Sequence, residues 1–178
     1  MKEYIHYGHK EFNINKFNQV KNQDEILWSK PRCGGLWASA IDAQRGWKQW
    51  CEYNEFRDCN ENNSFRFTLA ENANVVHIYS IKDLQKLPQK LKPLNYRSLI
   101  NRYFIDFENA LNSGIDAIEL HLSEENEDDY DSYMESLYYV LYGWDCDSIL
   151  IMNPDIIIQN ITENLYLGVL YYFYPNCT

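Results

Sequence analysis

Apolar and polar positions along the chain predict short strands separated by turns. The clearest strand covers residues 148–152, a continuous apolar run that follows Gly143 and precedes Asn153-Pro154. Such a run with punctuated ends is typical of a buried strand. Runs of β-branched and aromatic residues predict further strands at residues 4–8, 36–39, 63–69, 73–79, 115–122 and 165–174.

Helical spacing of apolar residues predicts several short helices between these strands. One is expected to begin at Asp42, a suitable N-cap, because apolar residues from Ala43 to Cys51 fall on one helical face. Further helices are predicted over residues 80–87, with a capping box at the start, over residues 104–111, and over residues 130–142. Residues 13–22 fit a turn or short helix, and the polar residues 90–102 fit a connecting loop.

The length and cysteine content predict one domain in a reducing compartment. A chain of 178 residues can remove about 70 % of its unfolded surface from water, so we expect a single domain over residues 1–178. The five cysteines are odd in number and contain no C-x-x-C pair, which argues against a disulfide framework or a zinc knuckle. Since no segment reads as a membrane span or a targeting signal, we expect a cytoplasmic protein without a membrane partner.

The charge balance argues against broad affinity for nucleic acid. The formal net charge is -10, whereas binding to phosphate backbones requires clustered Lys and Arg. Much of the acidic excess lies in residues 124–131, which is either a solvated loop or helix start, or a surface that attracts a basic partner. The 15 tyrosines and 5 tryptophans supply aromatic rings for pockets and interfaces.

The first strand ends in a candidate binding sequence, His6-Tyr7-Gly8. A glycine there would let the backbone approach a flat ligand with no side chain between them. His6 and His9 are also conceivable metal ligands, but the sequence shows no third ligand beside them.

The loop before the second strand is a candidate diphosphate site. Lys30 and Arg32 precede Gly34-Gly35, and paired cations beside exposed backbone amides suit two phosphate groups. The alternative is that both cations are simply solvated, as most loop cations are.

Two carboxylates stand at the entrance of the clearest strand. Asp145 and Asp147 are separated by one residue. In extended backbone, residues two apart project to the same face, so both carboxylates would face one cleft if the strand already begins there. The alternative is that both aspartates only shape a turn.

Taken in order, these stretches resemble the ADP-ribosyltransferase superfamily. His6-Tyr7-Gly8 resembles its early histidine strand, Gly-Leu-Trp-Ala-Ser at residues 35–39 resembles its Gly-aromatic strand, and Asp-Cys-Asp-Ser at residues 145–148 resembles its late acidic motif. The same stretches also resemble a narrower group of small bacterial and phage proteins with His-Tyr-Gly, Gly-Gly-Leu-Trp and Gly-Trp-Asp-Cys motifs. The superfamily resemblance implies an α+β fold whose split, mostly antiparallel two-sheet core and flanking helices surround NAD.

The resemblance also implies roles for individual residues. Asp147 would take the place of the family's catalytic glutamate, and Asp145 would face the acceptor. His6 would hydrogen-bond a ribose hydroxyl and would meet Asp147 across one dinucleotide-sized cavity. The other implied contacts are clamping of the nicotinamide by the backbone at Tyr7 and Gly8, stacking by Trp37, Trp47 or Tyr7, diphosphate binding by Arg32 and Lys30, and support from Ser39.

The implied function is NAD-dependent transfer of ADP-ribose to a macromolecule, more readily a protein than a nucleic acid, in a toxin or a phage counter-defence factor such as an anti-CRISPR. One alternative is a degenerate member that binds NAD or ADP-ribose without turnover. Another is an acidic interaction protein that blocks a nucleic-acid-binding partner. A purely structural role for these histidines, tryptophans and aspartates is the remaining interpretation.

Overall fold

A computed structural model describes residues 2–24, 28–90, 104–125 and 136–159. In this part of the chain seven strands form one sheet: β1 (Glu3–Tyr7), β2 (Leu36–Ala40), β3 (Ser64–Leu69), β4 (Val75–Ile78), β5 (Ala117–Leu120), β6 (Ser148–Ile151) and β7 (Ile157–Ile158). The α-helices are α1 (Trp47–Tyr53), α2 (Phe107–Asn112) and α3 (Leu137–Val140), and short 3-10 helices cover Ile14–Lys16, Glu61–Asn63, Ile81–Lys86, Leu122–Glu124 and Pro154–Ile156. The predicted α+β class is confirmed.

The strands follow the order β4-β5-β6-β2-β1-β3-β7. The β4–β5 pair is parallel and the other described pairs are antiparallel, so the mostly antiparallel sheet is confirmed. Residues 36–38 of β2 pair with β6, whereas residues 39–40 pair with β1. The expected split two-sheet core is not confirmed: β2 hydrogen-bonds to β6 and to β1, and the seven described strands form one continuous sheet.

β6 is buried on both of its faces. Leu150 belongs to an apolar cluster that includes residues of α2 and α3, while Ile149 and Ile151 belong to a second cluster that includes Tyr4 and Phe67. Successive strand residues point to opposite faces, so a strand covered on both sides needs a continuous apolar run. This is the physical reason why the hydrophobic pattern identified β6 correctly.

Helix α1 begins later than the sequence predicts. Its N-cap is Gly46, four residues after Asp42. The first backbone amide of the helix, that of Trp47, donates to the Ser39 hydroxyl at 2.9 Å. The expected start at Asp42 is therefore wrong. A serine on β2 supplies the oxygen that Asp42 was expected to supply, and local sequence does not show such a contact.

Some predictions fall outside the described residues. These are the strand at residues 165–174, nearly all of the loop at 90–102, residues 126–131 of the acidic stretch, and residues 130–135 of the helix expected over residues 130–142. Within the described part, Cys33, Cys51, Cys59 and Cys146 are free thiols. No helix of that part is long and apolar enough to cross a bilayer.

The predicted capping box before residues 81–86 is present and supports a test of stability. Asp83 accepts hydrogen bonds from the backbone amides of Tyr79 at 3.0 Å and Ser80 at 2.9 Å. Its other carboxylate oxygen accepts from Lys86 Nζ at 2.7 Å. Burial alone would raise the pKa of Asp83, but these hydrogen bonds outweigh burial and lower the pKa.

Asp83→Asn is expected to lower the free energy of unfolding by about 1 kcal/mol at neutral pH, because a carboxylate cap is lost. Since the folded-state pKa lies below the unfolded one, the stabilisation is fully present above the ordinary aspartate pKa and is lost as pH falls through the folded value. Denaturant unfolding at pH 7 and at lower pH should show the difference shrinking. Asp58→Asn, at an exposed aspartate, is the control; an equal loss there would contradict the expectation.

Candidate functional site

A cavity of about 690 Å³ opens beside the paired strands β1 and β2, and we call it the His6 cavity. Its walls include residues 5–7 of β1, residues 36–38 of β2, Trp47 at the start of α1, and residues 143–146 before β6. The volume falls within the range of about 300–1,000 Å³ that is typical of small-molecule sites. The cavity thus brings together parts of the chain that are far apart in sequence.

Aromatic rings dominate the cavity wall. The aromatic residues that line it are Tyr7, Phe12, Phe17, Trp37, Trp47, Phe65 and Trp144. The ring of Trp37 meets that of the buried Trp144 edge-on, with centroids 4.8 Å apart. Trp47 stacks on Trp50 at 5.1 Å. These contacts hold the ring planes in place, so the wall presents fixed surfaces to a flat heterocycle.

Positive charge gathers at this cavity although the whole chain carries a net charge of -10. Its described lining contains four cationic side chains, Lys10, Lys16, Lys30 and Arg57, and two acidic ones, Glu11 and Asp145. The Arg57 guanidinium lies 5.2 Å from the centroid of the Trp47 ring. A wall that combines cations with aromatic rings suits a ligand that carries phosphate and a flat base.

His6 lies in the cavity and both of its ring nitrogens have partners. Nδ1 is 2.7 Å from the backbone carbonyl oxygen of Trp37, and Nε2 is 3.1 Å from His9 Nδ1. Because a carbonyl oxygen only accepts, Nδ1 of His6 donates and Nε2 of the neutral ring accepts. Burial lowers the pKa of His6. His6 would therefore have to exchange the contact with His9 for one with a ligand hydroxyl.

Gly8 follows the last residue of β1, as predicted. Its φ is 131°, and its amide donates to the backbone oxygen of Asn63 at 2.8 Å. A Cβ at this position would lie 3.5 Å from His6 Nε2, which is an ordinary contact. The glycine is thus required by its backbone conformation, whereas the adjacent Tyr7 is the residue that lines the cavity.

Ser39 supports the cavity from β2 without lining it. The buried hydroxyl donates to the backbone oxygen of Asp147 at 2.8 Å and accepts from the amide of Trp47 at 2.9 Å. One side chain thereby fixes the start of α1 and the entrance of β6 relative to β2. The implied role of Ser39 beside a ligand stays a prediction.

Asp145 is the aspartate of the acidic pair that lines the His6 cavity. Burial raises the pKa of its carboxyl group. The charge of Lys30 and a hydrogen bond from the backbone amide of Gly143 act in the opposite direction and favour the ionised form. The cavity therefore contains a carboxylate next to its cations.

Asp147 lines a different cavity, so the expectations that it shares a cleft with Asp145 and meets His6 are wrong. Its carboxylate is buried and accepts hydrogen bonds from the backbone amide of Ser123, at 3.0 Å, and from the hydroxyl of the same residue. It borders a polar cavity of about 280 Å³, which we call the Glu119 cavity. In this position the Asp147 carboxylate holds the segment that contains Ser123.

The backbone before β6 explains the separation of the two aspartates. Trp144 Nε1 donates to the Ser148 hydroxyl at 2.7 Å, and that hydroxyl donates to the backbone oxygen of Cys146 at 3.0 Å. The chain therefore turns here, and β6 begins only at residue 148. Residues 145 and 147 thus precede the extended backbone on which the same-face rule depends.

The cations of the cavity differ from those predicted. Lys30 lines the cavity, with Nζ 4.7 Å from the centroid of the Trp28 ring. Arg32 lies outside that lining: its side chain is exposed and pairs with Asp24 at 3.6 Å. Arg57, Lys10 and Lys16 were missed. They lie in polar segments of ordinary composition, and no local signal separates them from solvated cations.

No protein-family model, curated protein or solved structure matches this chain. The interpretation of the His6 cavity accordingly depends on its own residues.

Proposed function

We propose that the chain binds NAD, or a nucleotide with an ADP-ribosyl group, in the His6 cavity. The observation that carries this proposal is the concentration of four cations and seven aromatic rings around one cavity of about 690 Å³ in an acidic chain. A dinucleotide has two flat bases and a diphosphate, which these groups complement. NAD also matches the resemblance to ADP-ribosyltransferases.

Each part of the ligand has a candidate partner in the wall. Tyr7, Trp37 and Trp47 offer ring faces or edges for a base, and the cationic nicotinamide ring gains additionally from an aromatic face. Lys30 and Arg57 stand beside aromatic rings, so they can approach phosphates that accompany a stacked base. Both cations already line the cavity.

Calorimetry with the full chain tests this proposal directly. NAD and ADP-ribose should bind, and Lys30→Ala should weaken the affinity for NAD by about tenfold, because one charge-assisted contact is lost. Arg32→Ala is the matched control: it removes a cation two residues away that points outside the cavity, and its affinity for NAD should equal that of the wild type. Absence of NAD binding to the wild type, or equal losses in the two variants, would refute the proposal.

ADP-ribosyl transfer is the second candidate function, and the position of Asp145 favours it. Cleavage of the bond between ribose and nicotinamide builds positive charge on the sugar ring. A fixed anion stabilises that charge more than it stabilises bound NAD. Asp145 supplies an anion in the cavity wall, so we assign to it the catalytic role that the resemblance gave to Asp147. The acceptor would be a macromolecule, with a protein as the first candidate.

The acidic interaction protein remains a prediction. It depends on residues 124–131, of which the structure describes residues 124 and 125.

A further inference from the structure

A second group of functional side chains lies at the β4 end of the sheet. His77 of β4 is directly paired with Glu119 of β5 in the parallel register. Residues paired across neighbouring strands share a face of the sheet. His121 follows the last residue of β5, and its imidazole reaches the same place, with Nε2 3.2 Å from His77 Nδ1. Strand geometry therefore places two imidazoles and one carboxylate side by side.

The three donor atoms all lie within 3.6 Å of one another. His77 Nδ1 lies 3.1 Å from Glu119 Oε2 and 3.2 Å from His121 Nε2, and the third distance, between His121 Nε2 and Glu119 Oε2, is 3.6 Å. In a tetrahedral site with metal–ligand bonds of about 2.0–2.1 Å, neighbouring ligand atoms are separated by roughly 3.3 Å. The three observed distances bracket that value.

Surrounding groups hold the carboxylate and one imidazole in position. Lys2 Nζ pairs with Glu119 Oε1 at 2.8 Å, which leaves Oε2 directed at the histidines, and the Tyr4 hydroxyl donates to Oε2 at 3.1 Å. His121 Nδ1 lies 3.4 Å from Glu124 Oε1. A carboxylate behind a histidine is the usual arrangement that orients a metal-binding imidazole.

The cluster is accessible from one side. Glu119 and His121 are buried, whereas the side chain of His77 is 43 % exposed. Glu119 and His121 also line the Glu119 cavity of about 280 Å³. An ion would enter past His77, and the cavity leaves room for a water molecule or a small ligand.

We propose that His77, Glu119 and His121 bind one divalent transition-metal ion of the Zn²⁺ type, with a fourth position open to water. Two imidazole nitrogens and one carboxylate oxygen favour Zn²⁺ and its neighbours over Mg²⁺ and Ca²⁺, which prefer sites built from oxygen alone. Three protein ligands with an open position characterise sites where the ion can bind a further ligand. The metal site borders the Glu119 cavity and does not depend on NAD binding in the His6 cavity.

Calorimetric titration of the chelator-treated full chain with ZnCl₂ tests the proposal. The wild type should bind one Zn²⁺ and should give no response to MgCl₂, and His121→Ala should weaken Zn²⁺ binding by more than about 100-fold, because one of three ligands is lost. His77→Ala should do the same. The His77→Ala variant provides the second measurement if His121→Ala does not fold, because the His77 side chain is half exposed and its loss disturbs packing less.

His9→Ala is the matched control. His9 is exposed, and its Nδ1 lies 3.1 Å from His6 Nε2, so it belongs to the other histidine pair of the chain. Its Zn²⁺ affinity should equal that of the wild type. The proposal is overturned if the wild type shows no Zn²⁺ binding, or if His9→Ala loses the ion while His77→Ala keeps it.

Discussion

Asp145→Asn is expected to slow the release of nicotinamide from NAD by about 100-fold or more, the usual effect of removing one group that stabilises transition-state charge. The substitution keeps the shape of the side chain and removes its charge from the His6 cavity. Because a transition-state contact contributes little to ground-state binding, NAD affinity should change by less than about threefold. Release of labelled nicotinamide and calorimetry on the same preparation measure the two quantities separately.

Asp147→Asn is the matched control for this experiment. Its carboxylate accepts from Ser123 and lines the Glu119 cavity, so the variant should keep turnover and lose about 1–3 kcal/mol of stability, the cost of weakening a buried charge-assisted hydrogen bond. If Asp147→Asn folds and loses turnover while Asp145→Asn stays active, the catalytic carboxylate is Asp147, as the resemblance implies. A wild type that binds NAD without releasing nicotinamide would leave binding as the function.

Gly34→Ala is expected to lower the free energy of unfolding by about 4 kcal/mol or to prevent folding, because it combines two costs. Gly34 has φ of +83°, in the left-handed region that costs other residues roughly 1–2 kcal/mol. A Cβ would also overlap the backbone carbonyl of Gln19 and lie 2.8 Å from the Cα of Val20. Neither contact can be relieved by rotation of a side chain.

Gly114→Ala isolates the first of those costs. Gly114 has a similar φ of +86°, and a Cβ there meets nothing within 4 Å. Its loss should be about 1 kcal/mol, the conformational cost alone. Denaturant unfolding of both variants gives the comparison. Equal losses would mean that the segments at residues 18–21 and 32–35, which pair beside the His6 cavity, can move apart at little cost.

One backbone hydrogen bond connects two parts of the cavity wall. The hydrogen bond from the Gly35 amide to the Asn18 carbonyl, at 2.8 Å, ties the loop before β2 to the segment that follows β1. Asn18 and Gly35 both line the His6 cavity. Gly34 therefore shapes the His6 cavity through backbone contacts alone.

The sequence determined those features that depend on nearby residues. The apolar run of β6, the end of β1 at Gly8, and the capping box at Ser80 were all predicted correctly, because hydrophobic burial, positive φ and a local hydrogen bond each leave a mark in consecutive positions. His6, Tyr7, Trp37 and Trp47 were also identified as candidates, and the structure places all four in one cavity.

Only the tertiary structure determines which of the candidate side chains line the same cavity. The direction of Asp147 follows from a turn fixed by Ser148, the start of α1 depends on Ser39 from another strand, and Arg57 reaches the cavity only through the fold. Likewise, His77 and Glu119 are 42 residues apart and become neighbours only through the register of β4 and β5. Local sequence encodes backbone preference and burial, whereas the distance between remote side chains is set by strand pairing and packing, which no short window of sequence contains.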